Sequence, residues 1–201
     1  MEQKPSYIDD YKFYYGKSLL RNYDSKVVLG MIKLMNGNRR SSFTIKQLAE
    51  TSGVTRKVAR STVYKMIDEC MENHLVVDFI PADFSANERF VVQFPYDLVN
   101  FSFLYELEID ELLELETNEI RVFLVLFGFI KNSNIYKQKN LKRLRIGRSN
   151  IAHYSGVKNL NSLTNAINSL EEKNWIKITD KGNNLKERTT EYEILKDYEI
   201  R

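Results

Sequence analysis

The sequence predicts a mainly α-helical protein with small β-sheets, built as two similar domains in tandem. Three observations point there. Apolar residues recur at helical spacing in several segments, and only 3 prolines and 8 glycines interrupt 201 residues, a composition that suits helices better than a turn-rich β-sandwich. A length of 201 residues exceeds the usual single domain and accommodates two compact ones. A stretch near residues 48–76 also recurs, with the same landmarks in the same order, near residues 151–176. Hydrophobic residues at 43% supply a core, and 12 Tyr with 11 Phe argue against a disordered chain.

Taken in order, residues 1–23 form an aromatic-rich segment (Tyr7, Tyr11, Phe13, Tyr14, Tyr15) expected to pack on its own domain or on a partner subunit. A first domain is expected over 24–95. Ser25 to Met35 carries Val27, Val28, Met31, Ile32 and Met35 at helical spacing behind Asp24, a suitable cap. A short strand is expected around Phe43. Thr44-Ile45-Lys46-Gln47 has capping-box spacing, and Gly53 is placed to end that helix with a positive φ. Ala59, Val63, Met66, Ile67 and Cys70 form the buried face of the next helix. Strands over 75–80 and 89–94, joined by loop 81–88, close the domain. An acidic linker is expected over 96–116.

The second domain, 117–201, repeats the series. Asn118 to Ile130 is helical (Ile120, Phe123, Leu124, Phe127) after a Thr117 cap, and Leu144 to Ile146 is a strand. A helix then runs to Gly156. The next one has Leu160, Leu163, Ile167 and Leu170 as its buried stripe. Strands over 175–179 and 190–195 flank Lys181-Gly182-Asn183-Asn184. Within the repeat, Leu48-Ala49-Glu50-Thr51-Ser52-Gly53-Val54 matches Ile151-Ala152-His153-Tyr154-Ser155-Gly156-Val157 at an offset of 103, and Ile67 and Leu75 match Ile167 and Trp175 at an offset of 100. The first copy thus holds three extra residues before its helix end. Small residues at 49 and 152 let crossing helices approach, and the valine after each glycine plugs the corner between them.

This order of helix, strand, helix, helix, strand, strand, found twice, resembles the winged helix-turn-helix family over residues 24–95 and 117–195. The resemblance implies that the second helix of each motif enters the DNA major groove while the wing touches backbone or minor groove. Carried onto this chain, the first such helix presents Arg56, Lys57, Arg60, Ser61, Tyr64 and Lys65. The second presents Lys158, Asn159, Asn161, Ser162 and Asn165. Arginine suits guanine and asparagine suits adenine, so A·T-containing sites are expected for the second copy. Lys181, Lys186 and Arg188 make its wing basic, whereas the first wing, Pro81 to Glu88, is not.

Charge distribution sharpens the expectation, although the formal net charge is only +3. Glu106 to Glu119 holds seven acids and no Lys or Arg. Ile120 to Leu170 holds nine Lys or Arg and no acid, a segregation that suits a polyanion-facing surface. Lys139, Lys142, Arg143, Arg145 and Arg148 fall in that stretch, making the second copy the expected main anchor on DNA. The first copy would then read another half-site or form a homodimer.

Other chemistry is poorly served. Cys70 is the single cysteine, which rules out an intrachain disulfide and fits a reducing compartment, and with two histidines it makes no usual zinc set. Gly16-Lys17-Ser18 lacks the glycine that a P-loop needs at Tyr11. No cofactor, metal or catalytic pair is expected, and the chain is not read as an enzyme. The start of the sequence lacks an apolar signal region, and Val122 to Ile130 is too short to span a bilayer, so a cytoplasmic protein without membrane contact is expected. The function expected is a transcription regulator that represses by occupying double-stranded DNA. A plasmid or phage replication initiator of the two-winged-helix type has a similar layout, and a protein-interaction adaptor is the alternative outside DNA binding.

Overall fold

The computed structural model describes residues 6–8, 23–35, 40–73, 78–79, 89–93, 102–104, 106–132, 141–180 and 189–196. It is mainly helical with small antiparallel sheets, and it divides into two compact units. One is built on Tyr23–Val99 and Leu104–Glu114, the other on Leu115–Arg201. Two short strands, β1 (Ser6–Ile8) and β5 (Ser102–Leu104), pair separately.

The first unit opens with α1 (Ser25–Lys33), whose N-cap Asp24 accepts from the backbone N–H groups of Lys26 (3.0 Å) and Val27 (3.2 Å). This satisfies two donors that the first turn would otherwise orphan. Strand β2 (Arg40–Phe43) leads into α2 (Ile45–Ser52), where Thr44 Oγ1 accepts from Gln47 N at 3.1 Å, the threonine arm of the expected capping box. Gly53 ends α2 at φ 64°, and the N–H groups of Gly53 and Val54 donate to Glu50 O and Ala49 O. That double closure is a Schellman motif, and its left-handed residue favours glycine. Helix α3 (Arg56–Asn73) follows, then β3 (Asp78–Phe79) and β4 (Phe90–Gln93), in a sheet of order β2-β4-β3. Phe43 pairs with Phe90 across β2 and β4, their rings stacked at 6.1 Å.

Helices α1, α2 and α3 wrap a core of Val27, Leu29, Met31, Leu48, Val63 and Met66, all fully buried. The tightest approach lies at Gly30 of α1. A Cβ there would come well inside van der Waals contact distance of Ser52 Oγ in α2. The alanine at 49, expected where α2 and α3 cross, is buried too.

The acidic stretch expected as a linker is in part a helix of this unit. Helix α4 (Glu106–Leu113) packs on α1 with Ile109 and Leu112 fully buried, and Lys33 pairs with Asp110. Apolar residues at 109, 112, 113 and 115, interleaved among the acids, give that stretch the buried face a free linker would lack.

The second unit repeats the series. Helix α5 (Thr117–Asn132) is followed by β6 (Arg143–Gly147), α6 (Arg148–Ser155), α7 (Leu160–Glu172), β7 (Ile176–Asp180) and β8 (Thr189–Ile194). Sheet order β6-β8-β7 matches that of the first unit, and Gly156 turns α6 at φ 71° as Gly53 turns α2. Ser52 and Ser155, just before these glycines, are both fully buried. The extra length of the first copy goes into its helix, since α3 has 18 residues and α7 has 13. Val157 is buried at its corner as expected, while Val54 is only half-buried.

The core of this unit gathers Phe123, Phe127, Leu163, Ile167, Leu170 and Tyr192, with Trp175 edge-on to Phe123 at 4.9 Å. Leu160 does not join it. It is 64% exposed, although its spacing from Leu163, Ile167 and Leu170 predicts burial. As the first residue of α7, it stands beyond the end of the core. Helix α5 begins at Thr117 itself, one residue earlier than a Thr117 cap implies, and the Glu119 carboxylate in its first turn accepts from Glu116 N at 2.9 Å. None of the helices in the described residues is long and apolar enough to cross a membrane.

Candidate nucleic-acid interface

Helix α3 buries Ala59, Val63, Met66 and Ile67, spaced at i, i+4, i+7 and i+8, which turns the opposite side outward. Its first turn is fixed by Thr55, whose Oγ1 accepts from Val58 N at 3.3 Å. Arg56, Lys57, Arg60 and Ser61 are exposed on that outward side and Tyr64 is half-buried. These five residues line one open groove of about 410 Å³. From Arg56 to Tyr64 the helix axis advances about 12 Å, close to the width of a B-DNA major groove.

Among the described residues, Arg56, Lys57 and Arg60 have no ion-pair partner, and the first turn of α3 contains no acid. Cations at a helix N-terminus run against the macrodipole, each costing on the order of 0.3–1 kcal/mol where exposed. An anion lying across that end would remove the penalty and gain the exposed backbone N–H donors as well. Lys65, expected on the same face, is engaged elsewhere. Its ammonium lies 3.6 Å from Glu69 and 5.4 Å from the centre of the Tyr23 ring, while the Tyr23 hydroxyl donates to Glu69 at 2.7 Å.

The corresponding helix of the second unit, α7, is nearly neutral at its start. Asn159 caps it, with Oδ1 accepting from Asn161 N at 2.9 Å and Ser162 N at 3.1 Å. Bidentate reading of adenine needs that oxygen as an acceptor, so the cap removes Asn159 from the expected base readers. Asn161 and Asn165 remain exposed, one turn apart on one face, with exposed Lys158 just before the helix and Ser162 half-buried behind it.

The basic stretch before α6 is arranged differently from its sequence appearance. Arg143 lies opposite Glu193 in the β6–β8 ladder and bonds to it at 3.1 Å. Arg145 lies opposite Glu191 and bonds to Asp180. Lys142 Nζ donates to Lys196 O at 3.2 Å, and Arg148 donates to Thr164 Oγ1 at 3.3 Å. Burial pushes the Tyr192 phenol up, and the nearby Thr190 hydroxyl and Arg148 guanidinium offset part of that. Four of the cations expected to form a phosphate anchor are therefore tied into their own domain. The acids that hold two of them come from strands β7 and β8, outside the acid-free window 120–170. The alternation Glu191-Tyr192-Glu193 placed both acids on one face of a strand; only the pairing with β6 puts them opposite Arg143 and Arg145.

Lys139, Lys181, Lys186 and Arg188, and both expected wing loops, lie outside the described residues. Among the described ones, Arg56, Lys57 and Arg60 without ion-pair partners lie close together on α3 of the first unit, and exposed Lys158 stands just before α7 of the second. Comparison with protein-family models found no match, and comparison with curated proteins found no significant match either.

Proposed function

We propose that this chain is a sequence-specific double-stranded DNA-binding protein of the winged helix-turn-helix type, used twice in tandem, and that it regulates transcription by occupying a promoter. One observation carries this. Arg56, Lys57 and Arg60 stand without ion-pair partners along an open groove at the N-terminal half of α3, against the helix dipole. Such an arrangement costs stability without an anion and suits a phosphate backbone with base edges beside it. Support also comes from the repeat: the order helix, strand, helix, helix, strand, strand and the same sheet order occur in both units, and α3 and α7, at equivalent places in that order, each carry exposed polar residues near their N-terminal ends. Arg56 and Arg60 fit guanine, and Asn161 and Asn165 fit adenine.

Selection of bound duplexes from a random pool at two salt concentrations tests the proposal. A defined motif that survives the higher salt is expected. Inverted or single sites fit a repressor, whereas directly repeated sites favour a replication initiator. Binding without sequence enrichment, lost on adding salt, overturns the proposal and leaves a protein-interaction adaptor. With the motif in hand, replacing Lys57 by Ala is expected to flatten the dependence of log K on log salt by about 0.9, the value for one phosphate contact, while replacing Arg56 and Arg60 by Ala is expected to relax the base preference. An unchanged salt dependence together with an unchanged motif removes α3 from the interface.

A further inference from the structure

We infer that Leu160 is a specificity-determining contact of α7, packing against the C5-methyl group of a thymine. The inference rests on the proposed DNA-binding function and narrows the target of the second unit to an A·T pair read from both bases. Leu160 is the first residue of α7 and is 64% exposed, although the stripe it belongs to by spacing is otherwise buried. Its neighbours are hydrophilic and outward. Asn159 and Asn161 flank it, Lys158 precedes Asn159, and Asn165 lies one turn beyond Asn161.

The chemistry of these side chains matches one base pair. In the major groove an A·T pair offers adenine N7 and N6 to an amide and, on the other base, a methyl group to an apolar side chain. Asn161 and Asn165 supply amides that capping does not consume, because Asn159 performs the capping. Leu160 supplies the apolar surface beside them, and Lys158 supplies a charge for the adjoining phosphate. The equivalent first position of α3 is Arg56, so the two helices differ in what they read first, a guanine edge against a thymine methyl.

The test uses the full chain and the duplex recovered by selection, with each thymine replaced in turn by deoxyuridine, which removes only the methyl group. At one position the wild-type protein is expected to bind about fourfold more weakly, the factor for one buried methyl-sized group. Leu160→Ala should abolish that thymine–uracil difference, Leu160→Met should retain it, and neither should change the melting temperature, since the side chain lies outside the core. If every deoxyuridine duplex binds as tightly as its parent, or if the recovered site holds only G·C pairs, Leu160 reads no methyl group and the inference fails while DNA binding stands. A difference that persists undiminished in Leu160→Ala also overturns it. Failure to recover any selected duplex overturns the proposed function and this inference together.

Discussion

A side chain at Gly30 and one at Gly53 would fail for different reasons. At Gly30 the backbone is helical and the obstacle is Ser52 Oγ, so Gly30→Ala is expected to cost about 1–3 kcal/mol as an overpacking change. Adding Ser52→Ala should recover most of that loss in thermal denaturation, and no recovery would locate the obstacle elsewhere. At Gly53 nothing lies within 4 Å of the added carbon, but φ is 64°. Gly53→Ala is therefore expected to cost about 1–2 kcal/mol from backbone conformation alone, with no rescue by any neighbour. Arg56 makes a third case, one in which stability and function oppose each other. Arg56→Glu puts an acid at the positive end of α3 and should raise stability by about 0.3–1 kcal/mol, while weakening duplex binding. A variant that binds normally would show that Arg56 faces no phosphate or base.

Among the elements, the start of α5 and the end of α7 are joined through one carboxylate. Glu119 is 4% exposed and accepts from Glu116 N at 2.9 Å and from Lys173 Nζ at 2.7 Å. Burial alone would raise its pKa. Hydrogen bonds from Lys173, Ser169 and Glu116 outweigh burial and hold it below the ordinary 4.5. A carboxylate depressed on folding stabilises the protein fully above its unfolded value, and that stability is lost as pH falls through the folded one. The second unit should therefore weaken progressively below pH 4.5. Glu119→Gln should be less stable at neutral pH and less sensitive to acid, as melts followed across that range would show; identical acid sensitivity would assign the titration to another group. The sheet of the same unit yields a different expectation. With Arg143 held by Glu193 and Arg145 by Asp180, replacing both by Ala should cost about 0.2–1 kcal/mol per pair. It should change the salt slope of DNA binding far less than replacing Lys57 in α3, and an equal effect would mean these pairs open on DNA.

For the molecule as a whole, the single tryptophan is a reporter for one unit. Trp175 is 6% exposed and edge-on to Phe123, both in the second unit. Phe43 is fully buried in the first. Because each unit has its own core, Phe43→Ala should destabilise the first unit by about 3–5 kcal/mol. The melt followed by far-ultraviolet circular dichroism should then shift while the Trp175 fluorescence transition stays in place. If both shift together, the units unfold as one cooperative body.

Local and repeated features were legible from the order of residues alone, because these depend on neighbours a few residues away. Asp24 and Thr44 act as caps, Gly53 and Gly156 turn the chain at positive φ, and the faces Ala59–Val63–Met66 and Leu163–Ile167–Leu170 are buried as their spacing requires. The outward side of α3 was legible for the same reason, since residues that do not face the core must face away from it. Which charges are already paired depends on long-range packing. Arg143 and Arg145 read as a free basic cluster until strand pairing across some fifty residues sets Glu193 and Glu191 opposite them. Long-range packing also sets the acidic stretch at 106–113 on α1 through Ile109 and Leu112, and leaves Leu160 overshooting its core. Periodicity says which face of a helix is apolar; where the neighbouring elements end decides how much of that face is covered.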